Sequence, residues 1–258
     1  MLTIIHLSDL HIGYQDLGER FLCIVDNIMY QKKPAQKYVI VVTGDLVDDA
    51  NDPANYDKAR TYLGKLERGG FTVLVVPGNH DYGNGILGRE KYVAEFKLKF
   101  FGSVDVTYPK VDIVGNMAFI GLDSMAEELH WYDALFAQGE LGKPQLKRLD
   151  RALSSEEVRK CAKRVLYLHH HPFDPKFAHE LKDSAALNAV VVKHGNVDAL
   201  LYGHNHEGKK RNGAWEGIAR CYDDGSATRK NGAPGHHRVM DLARDASLDY
   251  DGDFHCNF

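Results

Sequence analysis

The sequence predicts an α/β fold built from packed layers, and two observations support this prediction. Five short apolar runs rich in β-branched residues recur along the 258-residue chain, and each is too short for a helix and typical of a strand buried on both faces. Amphipathic stretches with a helical period lie between these runs. Because strands and helices alternate along the chain, we expect β-sheet covered by layers of helices.

The predicted elements follow one another without a linker or a repeat. The predicted strands cover 2–7, 38–43, 72–77, 164–169 and 198–203, and the predicted helices lie near 17–32, 53–68, 88–101, 142–153 and 183–194. In the fourth helix, Leu146, Leu149 and Leu153 recur at i, i+3 and i+7, which places them on one face. After about residue 212, shorter runs separated by glycine and asparagine predict edge strands and loops. We therefore expect one domain over 1–258.

The composition gives no support for a nucleic-acid or membrane partner. The net charge is −4, and no lysine- or arginine-rich block stands out. No apolar stretch reaches the ~18 residues that a membrane span needs. The N-terminal residues run directly into a predicted strand without the basic and apolar regions of a signal peptide, and the four cysteines are scattered with no CxxC pair. We therefore predict a cytoplasmic protein with reduced cysteines.

Each of the five predicted strands runs directly into residues that can bind a metal ion. They are Asp9 and His11 after the first strand, Asp45, Asp48 and Asp49 after the second, Asn79, His80 and Asp81 after the third, His169, His170 and His171 after the fourth, and His204 and His206 after the fifth. A lone Asp or His after a strand is usually a cap or turn residue, but five successive cases are not expected by chance. Because the carboxyl ends of parallel strands share one edge of a sheet, we predict one site at this edge.

The residue types in this set indicate the chemistry of the site. Carboxylate oxygens and imidazole nitrogens without a thiolate suit Mn²⁺, Fe, Zn²⁺ or Co²⁺, and do not suit a soft thiolate site or an all-oxygen Ca²⁺ site. The donors are too many for one ion and sufficient for two. A carboxylate can bridge two such cations roughly 3.5–4 Å apart, where they polarise a phosphoryl group together. The sequence thus predicts a dinuclear metal site.

The ordered motifs resemble those of the calcineurin-like metallophosphoesterase superfamily. They are DLH at 9–11, GDLVD at 44–48, GNHD at 78–81, HHHP at 169–172 and GHNH at 203–206. The forms HHHP and GHNH are most similar to those of bacterial cyclic-nucleotide and glycerophosphodiester phosphodiesterases. The resemblance covers residues 1–206 and implies a four-layer αββα sandwich with two mixed β-sheets and the metal site at the carboxyl ends of the strands. Residues 207–258 would then complete the second sheet and form a tail.

The resemblance also implies a role for each site residue. Asp9, His11 and His206 would bind one metal, Asn79, His204 and one histidine of the HHHP run would bind the other, and Asp45 would bridge both. Strand alternation by itself leaves the histidine open, because His169 and His171 point away from the face used by His170. In the superfamily the ligand is two places before the proline, which implies His170. Manganese and iron are the favoured metals.

The same resemblance implies a mechanism of phosphate-ester hydrolysis. A hydroxide held between the two metals would attack the phosphorus, and His80 would assist the leaving oxygen. Asp48 stands where a carboxylate pairs with that histidine, orients its ring and raises its pKa. Asp49 stands where the Ser/Thr protein phosphatases have an arginine, and its charge would repel a dianionic monoester. We therefore expect a small phosphodiester as the substrate. The alternatives are a phosphomonoesterase, a nucleotide pyrophosphohydrolase and, with less support, a non-catalytic scaffold.

Overall fold

The structure is a computed structural model that describes residues 2–85, 89–125, 138–173, 181–213, 215–233, 235 and 237–252. Ten strands lie within these residues: β1 (Thr3–Leu7), β2 (Tyr38–Thr43), β3 (Thr72–Val76), β4 (Lys110–Val114), β5 (Met117–Gly121), β6 (Lys163–Tyr167), β7 (Ala199–Tyr202), β8 (Arg220–Asp223), β9 (His237–Met240) and β10 (Tyr250–Gly252). The same residues contain six α-helices: α1 (Leu17–Gln31), α2 (Pro53–Arg68), α3 (Glu90–Phe101), α4 (Gly142–Ser154), α5 (Glu156–Lys160) and α6 (Ser184–His194).

The strands form two mixed five-stranded sheets. The first sheet has the order β10-β9-β1-β2-β3, and the second has the order β4-β5-β6-β7-β8. In the first sheet β1, β2 and β3 are parallel, while β9 is antiparallel to β1 and to β10. In the second sheet β5 to β8 are parallel and only β4 is antiparallel. Both sheets therefore keep a parallel centre, in which the carboxyl ends of the strands share one edge.

Three apolar cores lie between the layers of the fold. One core lies between the two sheets and contains inward side chains of both, such as Ile4 of β1 and Tyr167 of β6. A second core packs the other face of the first sheet against α1, α2 and α3. The third packs the other face of the second sheet against α4, α5 and α6. This arrangement is the predicted αββα sandwich with two mixed sheets.

The five strands and five helices predicted from the sequence are confirmed, and three elements were not predicted. Strands β4 and β5 form a hairpin at the edge of the second sheet, and the short helix α5 follows α4. The prediction that residues 207–258 complete the second sheet is wrong for two of their three strands. Only β8 joins that sheet, whereas β9 and β10 extend the first sheet beyond β1. Strand β9 pairs with the edge of β1 that lies away from β2, and this long-range pairing decides the sheet to which it belongs.

The cysteines differ in part from the prediction. Cys161 and Cys221 are buried free thiols, as predicted, but Cys23 is disulfide-bonded, so the prediction of reduced cysteines is wrong for that residue. None of the helices in the described part of the chain combines the length and the apolar character that a membrane crossing requires.

Candidate metal centre

The predicted site residues meet at one edge of the sandwich because each follows a parallel strand. Asp9 stands two residues after β1 ends, Asp45 two after β2, His169 two after β6, and His204 two after β7. Asn79 stands in the loop after β3. These loops approach one another closely, because glycines without a Cβ atom stand at the points of contact. A Cβ atom on Gly78 would collide with the carboxylate of Asp45, and one on Gly203 would collide with Ser8 and Asp9.

Unusual backbone conformation is concentrated in these loops. Five of the predicted ligands have positive φ angles: Asp9 (54°), His11 (46°), Asp45 (49°), His204 (78°) and His206 (54°). Within the described residues only three other non-glycine residues share this conformation, namely Gln15, Arg229 and Asn231. A left-handed residue with a side chain costs roughly 1–2 kcal/mol, and such strain is typical of functional sites. The packing of the sandwich therefore holds these residues in a backbone conformation that they would not prefer in isolation.

One group of donor atoms comes from the loops after β1 and β7. The Nε2 atom of His206 lies 3.1 Å from Oδ1 of Asp9 and 3.2 Å from Nε2 of His11. The Nε2 atom of His11 lies 3.9 Å from Oδ1 of Asp9. Two imidazole nitrogens and a carboxylate oxygen that converge in this way can hold a divalent cation. The structure thus brings together the three residues predicted for the first metal.

A second group of donor atoms lies beside the first. The Nε2 atom of His169 lies 3.0 Å from Oδ1 of Asn79, 3.2 Å from Nδ1 of His204 and 3.5 Å from Oδ2 of Asp45. The same Oδ2 atom of Asp45 is 3.7 Å from Nε2 of His11 in the first group. Asp45 therefore faces both groups, which is the position predicted for a bridging carboxylate.

The structure places His169, and not the predicted His170, in the second group. The Nδ1 atom of His170 pairs with the hydroxyl of Ser124 at 2.8 Å, and its ring packs 4.4 Å from the ring of His204. Strand alternation explains the difference. Tyr167 points into the core between the sheets and Leu168 into the outer core, so His169 continues the inward face. These contacts favour His169 over His170 as the candidate ligand, because alternation continues past the end of β6.

The hydrogen-bond partners of the ring nitrogens fit a metal site. The Nδ1 atom of His169 lies 2.8 Å from the carbonyl oxygen of Thr43, which can only accept a hydrogen bond. Nδ1 must therefore carry the proton, and Nε2 of the neutral ring offers a lone pair toward Asn79 and Asp45. The Nδ1 atom of His11 lies 3.1 Å from Oδ1 of Asp48. A carbonyl or carboxylate on the second ring nitrogen is the usual arrangement of a metal-binding histidine.

The charges of the site also favour the binding of a cation. Burial would raise the pKa of Asp9 and Asp45, but the surrounding histidines outweigh this effect and lower the pKa of both carboxyls below its usual value. Burial lowers the pKa of His169 and His206, but the neighbouring carboxylates outweigh it and raise both. Buried anions that draw positive charge onto nearby rings are suited to a metal ion, which supplies that charge without a proton.

Asp48 does not form the tight carboxylate pair with His80 that was predicted. The Nδ1 atom of His80 donates to the main-chain oxygen of Asp48 at 2.5 Å, while the carboxylate of Asp48 is 4.0 Å away. That carboxylate contacts His11 and, at 2.5 Å, the ammonium group of Lys230. Burial would raise the pKa of Asp48, but the hydrogen bonds from His11 and Lys230 hold it well below its usual range. The carboxylate of Asp48 therefore lies closer to His11 than to His80.

Sequence reasoning missed the structural role of Asp81. Its carboxylate is fully buried and accepts hydrogen bonds from the main-chain N–H groups of Gly78 (2.8 Å), Val47 (3.1 Å) and Leu46 (3.2 Å). It therefore ties the loop after β2 to the loop after β3, which carry Asp45 and Asn79. The aspartate that ends the GNHD motif is the sequence feature that could have indicated this role.

A further cluster of His171, Glu207 and Asp223 does not fit a metal ion. Potential donor atoms of the three lie within 4.8 Å of one another. However, the Nδ1 atom of His171 accepts a hydrogen bond from the main-chain N–H of Phe173 at 3.1 Å. The proton of the neutral ring must then reside on Nε2, which leaves no lone pair for a metal.

Comparison with known proteins agrees with this geometry. The family model for calcineurin-like phosphoesterases matches residues 2–208. The chain is 28% identical over 187 residues to a 3',5'-cyclic adenosine monophosphate phosphodiesterase of Haemophilus influenzae, a match that covers 69% of this chain and 57% of that protein. It is 25% identical over 222 residues to a 3',5'-cyclic-nucleotide phosphodiesterase of Nostoc, covering 81% of this chain and 73% of the relative. The chain thus matches little more than half of the first relative.

A solved structure shows the same fold at low sequence identity. It is a dimetal phosphatase from Danio rerio, which superposes with a TM-score of 0.68 and 16% identity over 92% of this chain and 91% of that one. The family match extends over most of the chain and includes every motif residue described above. The chain therefore belongs to the calcineurin-like phosphoesterase family.

Proposed function

We propose that this protein is a metal-dependent phosphoesterase that hydrolyses a small phosphodiester with the help of two metal ions. The observation that carries the proposal is the pair of adjacent donor groups that share Asp45, whose Oδ2 lies 3.5 Å from His169 and 3.7 Å from His11. One group would hold a cation with Asp9, His11 and His206. The other group consists of Asn79, His169 and His204.

The donor set suggests which metals bind. It consists of imidazole nitrogens and of carboxylate and amide oxygens, which suit Mn²⁺, Fe, Zn²⁺ or Co²⁺, and we favour manganese or iron. When bound, two such cations polarise the phosphoryl group and lower the pKa of water.

We assign the exchange of a proton with the substrate to His80. Its ring is partly exposed, with 21% of its side chain accessible, and packs edge-on against His11 at 4.7 Å between ring centres. Because Nδ1 donates to the carbonyl oxygen of Asp48, Nε2 is the nitrogen left for proton exchange: it accepts a proton when the ring is neutral and gives one to a leaving oxygen when the ring is doubly protonated. Its main-chain N–H also donates to Oδ1 of Asp45 at 2.9 Å. The histidine is thus fixed at both ends beside the metal groups.

Two observations favour a phosphodiester over a phosphomonoester. Asp49 follows Asp48 directly, and its negative charge opposes the second charge of a monoester more than the single charge of a diester. The relatives from Haemophilus influenzae and Nostoc are named as cyclic-nucleotide phosphodiesterases. A cyclic nucleotide is therefore one candidate within the class of small diesters. A cytoplasmic location, a single domain and the absence of a nucleic-acid partner stay predictions.

A substrate panel tests this proposal. Metal-free protein is reconstituted with Mn²⁺ and assayed against bis(p-nitrophenyl) phosphate, p-nitrophenyl phosphate, 3',5'-cyclic nucleotides, glycerophosphodiesters and nucleotide-sugar diphosphates. We expect diesters to be hydrolysed with the higher kcat/KM, and the Asp45→Asn variant to be inactive. Preference for the monoester or for the diphosphates would support the corresponding alternative. Binding of less than one ion per chain without hydrolysis would favour a scaffold.

A further inference from the structure

Lys230 lies against the metal centre although it stands in no motif and follows residue 208, where the family match ends. Its Nζ atom is 2.5 Å from Oδ1 of Asp48 and 3.0 Å from Nδ1 of His11, and only 12% of its side chain is exposed. The ammonium group also lies over the ring of Tyr14, 5.1 Å from its centre. A lysine is seldom buried to this extent unless it has a partner.

The segment that carries Lys230 is fastened to the loop after β1. The hydroxyl of Ser226 accepts a hydrogen bond from the main-chain N–H of Lys230 at 3.1 Å and donates to the main-chain oxygen of Asp9 at 2.8 Å. Thr228 donates to the main-chain oxygen of Leu10 at 2.9 Å. Lys230 is thus held at a fixed distance from the two ligands of that loop.

Both neighbours of Lys230 have a strained backbone. Arg229 and Asn231 have positive φ angles of 60° and 52°, and neither is a glycine. The side chain of Asn231 accepts a hydrogen bond from the hydroxyl of Tyr14 at 3.1 Å. Strain of this kind persists only where surrounding contacts over-determine the conformation. Here those contacts aim one ammonium group at Asp48.

We propose that Lys230 is a positioning residue of the metal centre, which holds the carboxylate of Asp48 against Nδ1 of His11. The inference rests on the proposed function, since it takes His11 to be a metal ligand. Asp48 has a second partner within reach, because His80 lies only 4.0 Å from the same Oδ1 atom. The ammonium group anchors that oxygen on the side of His11. Nδ1 of His11 lies 3.1 Å from Oδ1 of Asp48 and 3.0 Å from the ammonium group, which can only donate. Asp48 is therefore the acceptor available to a proton on Nδ1, and His11 would then offer Nε2 toward Asp9 and His206.

Metal affinity separates this role from a simple charge effect. A lone ammonium group beside a divalent cation repels it, so a Lys230→Met variant would bind metal more tightly if charge were the only contribution. If Lys230 positions Asp48 and through it His11, the same variant binds the first metal more weakly. Changes in the outer contacts of a metal ligand typically cost about 10–100-fold in affinity. The two explanations therefore predict opposite signs.

The experiment measures the affinity of both sites for Mn²⁺ by competition with a chelator in wild type, Lys230→Met, Lys230→Arg, Asp48→Asn and the Asp48→Asn/Lys230→Met double variant. We expect Lys230→Met to weaken one site about tenfold, Lys230→Arg to retain most of the affinity, and the double variant to bind no more weakly than Asp48→Asn alone. Lys160→Met is the control, because Lys160 lies on α5 far more exposed than Lys230 and in an exposed ion pair with Glu156.

Each outcome decides between the explanations. Unchanged or tighter binding by Lys230→Met overturns the inference, and so does full additivity of the Asp48 and Lys230 effects. Thermal unfolding of each metal-free variant shows whether it is folded, and Lys230→Gln, which also removes the charge but keeps a polar side chain, replaces Lys230→Met if that variant is not folded. If wild type itself fails to bind two ions, the proposed function is refuted. If wild type binds two ions and the variant binds them equally well, only the inference about Lys230 is refuted.

Discussion

Replacing His169 and His170 one at a time tests which histidine of the HHHP run belongs to the metal centre. The Nε2 atom of His169 approaches Asn79, His204 and Asp45 within 3.5 Å. His170 pairs with the hydroxyl of Ser124. We expect His169→Ala to lose one of two bound ions and His170→Ala to keep both. This is the reverse of what the position of the proline implies.

The magnitude follows from the contacts that each variant removes. His169→Ala deletes one donor of the second group, and a loss of about 100-fold in affinity would remove about 2.7 kcal/mol of metal-dependent stabilisation at saturating metal. His170→Ala removes a buried hydrogen bond and leaves Ser124 without that partner, which costs about 1–3 kcal/mol. The loss of stability in His170→Ala should be the same with and without metal, because His170 lies outside the donor group.

The assay compares thermal unfolding with and without saturating Mn²⁺, together with metal content by elemental analysis. The metal-induced rise in Tm should shrink in His169→Ala and stay near the wild-type value in His170→Ala. The reasoning is refuted if His170→Ala loses an ion while His169→Ala retains two.

Three further predictions concern stability, loop packing and catalysis. Burial raises the pKa of Asp123 to about 6, so the folded state binds more protons than the unfolded state between about pH 4 and 6. Asp123 should therefore contribute a fall of about 3 kcal/mol in the free energy of unfolding as the pH rises through this window, in addition to the contributions of the buried Asp81 and Asp223, whose pKa values burial also raises. Denaturant titrations of Asp123→Asn should show a slope that is smaller by that amount. Gly78→Ala should abolish metal binding, since its Cβ atom would collide with the carboxylate of Asp45, whereas Gly64→Ala on α2 should leave elemental analysis unchanged. His80→Ala should reduce kcat on the order of 10²–10⁴-fold and retain both ions, and loss of an ion would contradict the assigned role.

Much of the fold could be predicted because its central strands are buried on both faces. Runs such as 38–43 are continuous and apolar, and polar motif residues follow directly, so both the strand and its end were visible. The hairpin of β4 and β5 was not predicted. Strand β4 lies at the sheet edge with its residues partly buried or exposed, and β5, although buried, contains Ile120 as its single β-branched residue. The sheet to which β9 belongs depends on a long-range pairing with β1 that no local pattern encodes.

The site could be predicted as a set of residues but not in its finer contacts. Order and spacing identified the ligand types, because the motif residues stand at strand ends. The choice between His169 and His170 depended on where strand alternation continues past β6, which the proline does not determine. Lys230 could not be found from the sequence, since it is a single lysine whose partner Asp48 lies 182 residues away.

Titration of metal-free protein with Mn²⁺ tests the central claim most directly. Hydrolysis of bis(p-nitrophenyl) phosphate is followed while bound metal is measured at each step. Two donor groups that share Asp45 predict that activity reaches its maximum only when two ions are bound per chain, and that excess chelator abolishes it. Full activity with one ion or fewer, or activity that persists in chelator, would contradict the account.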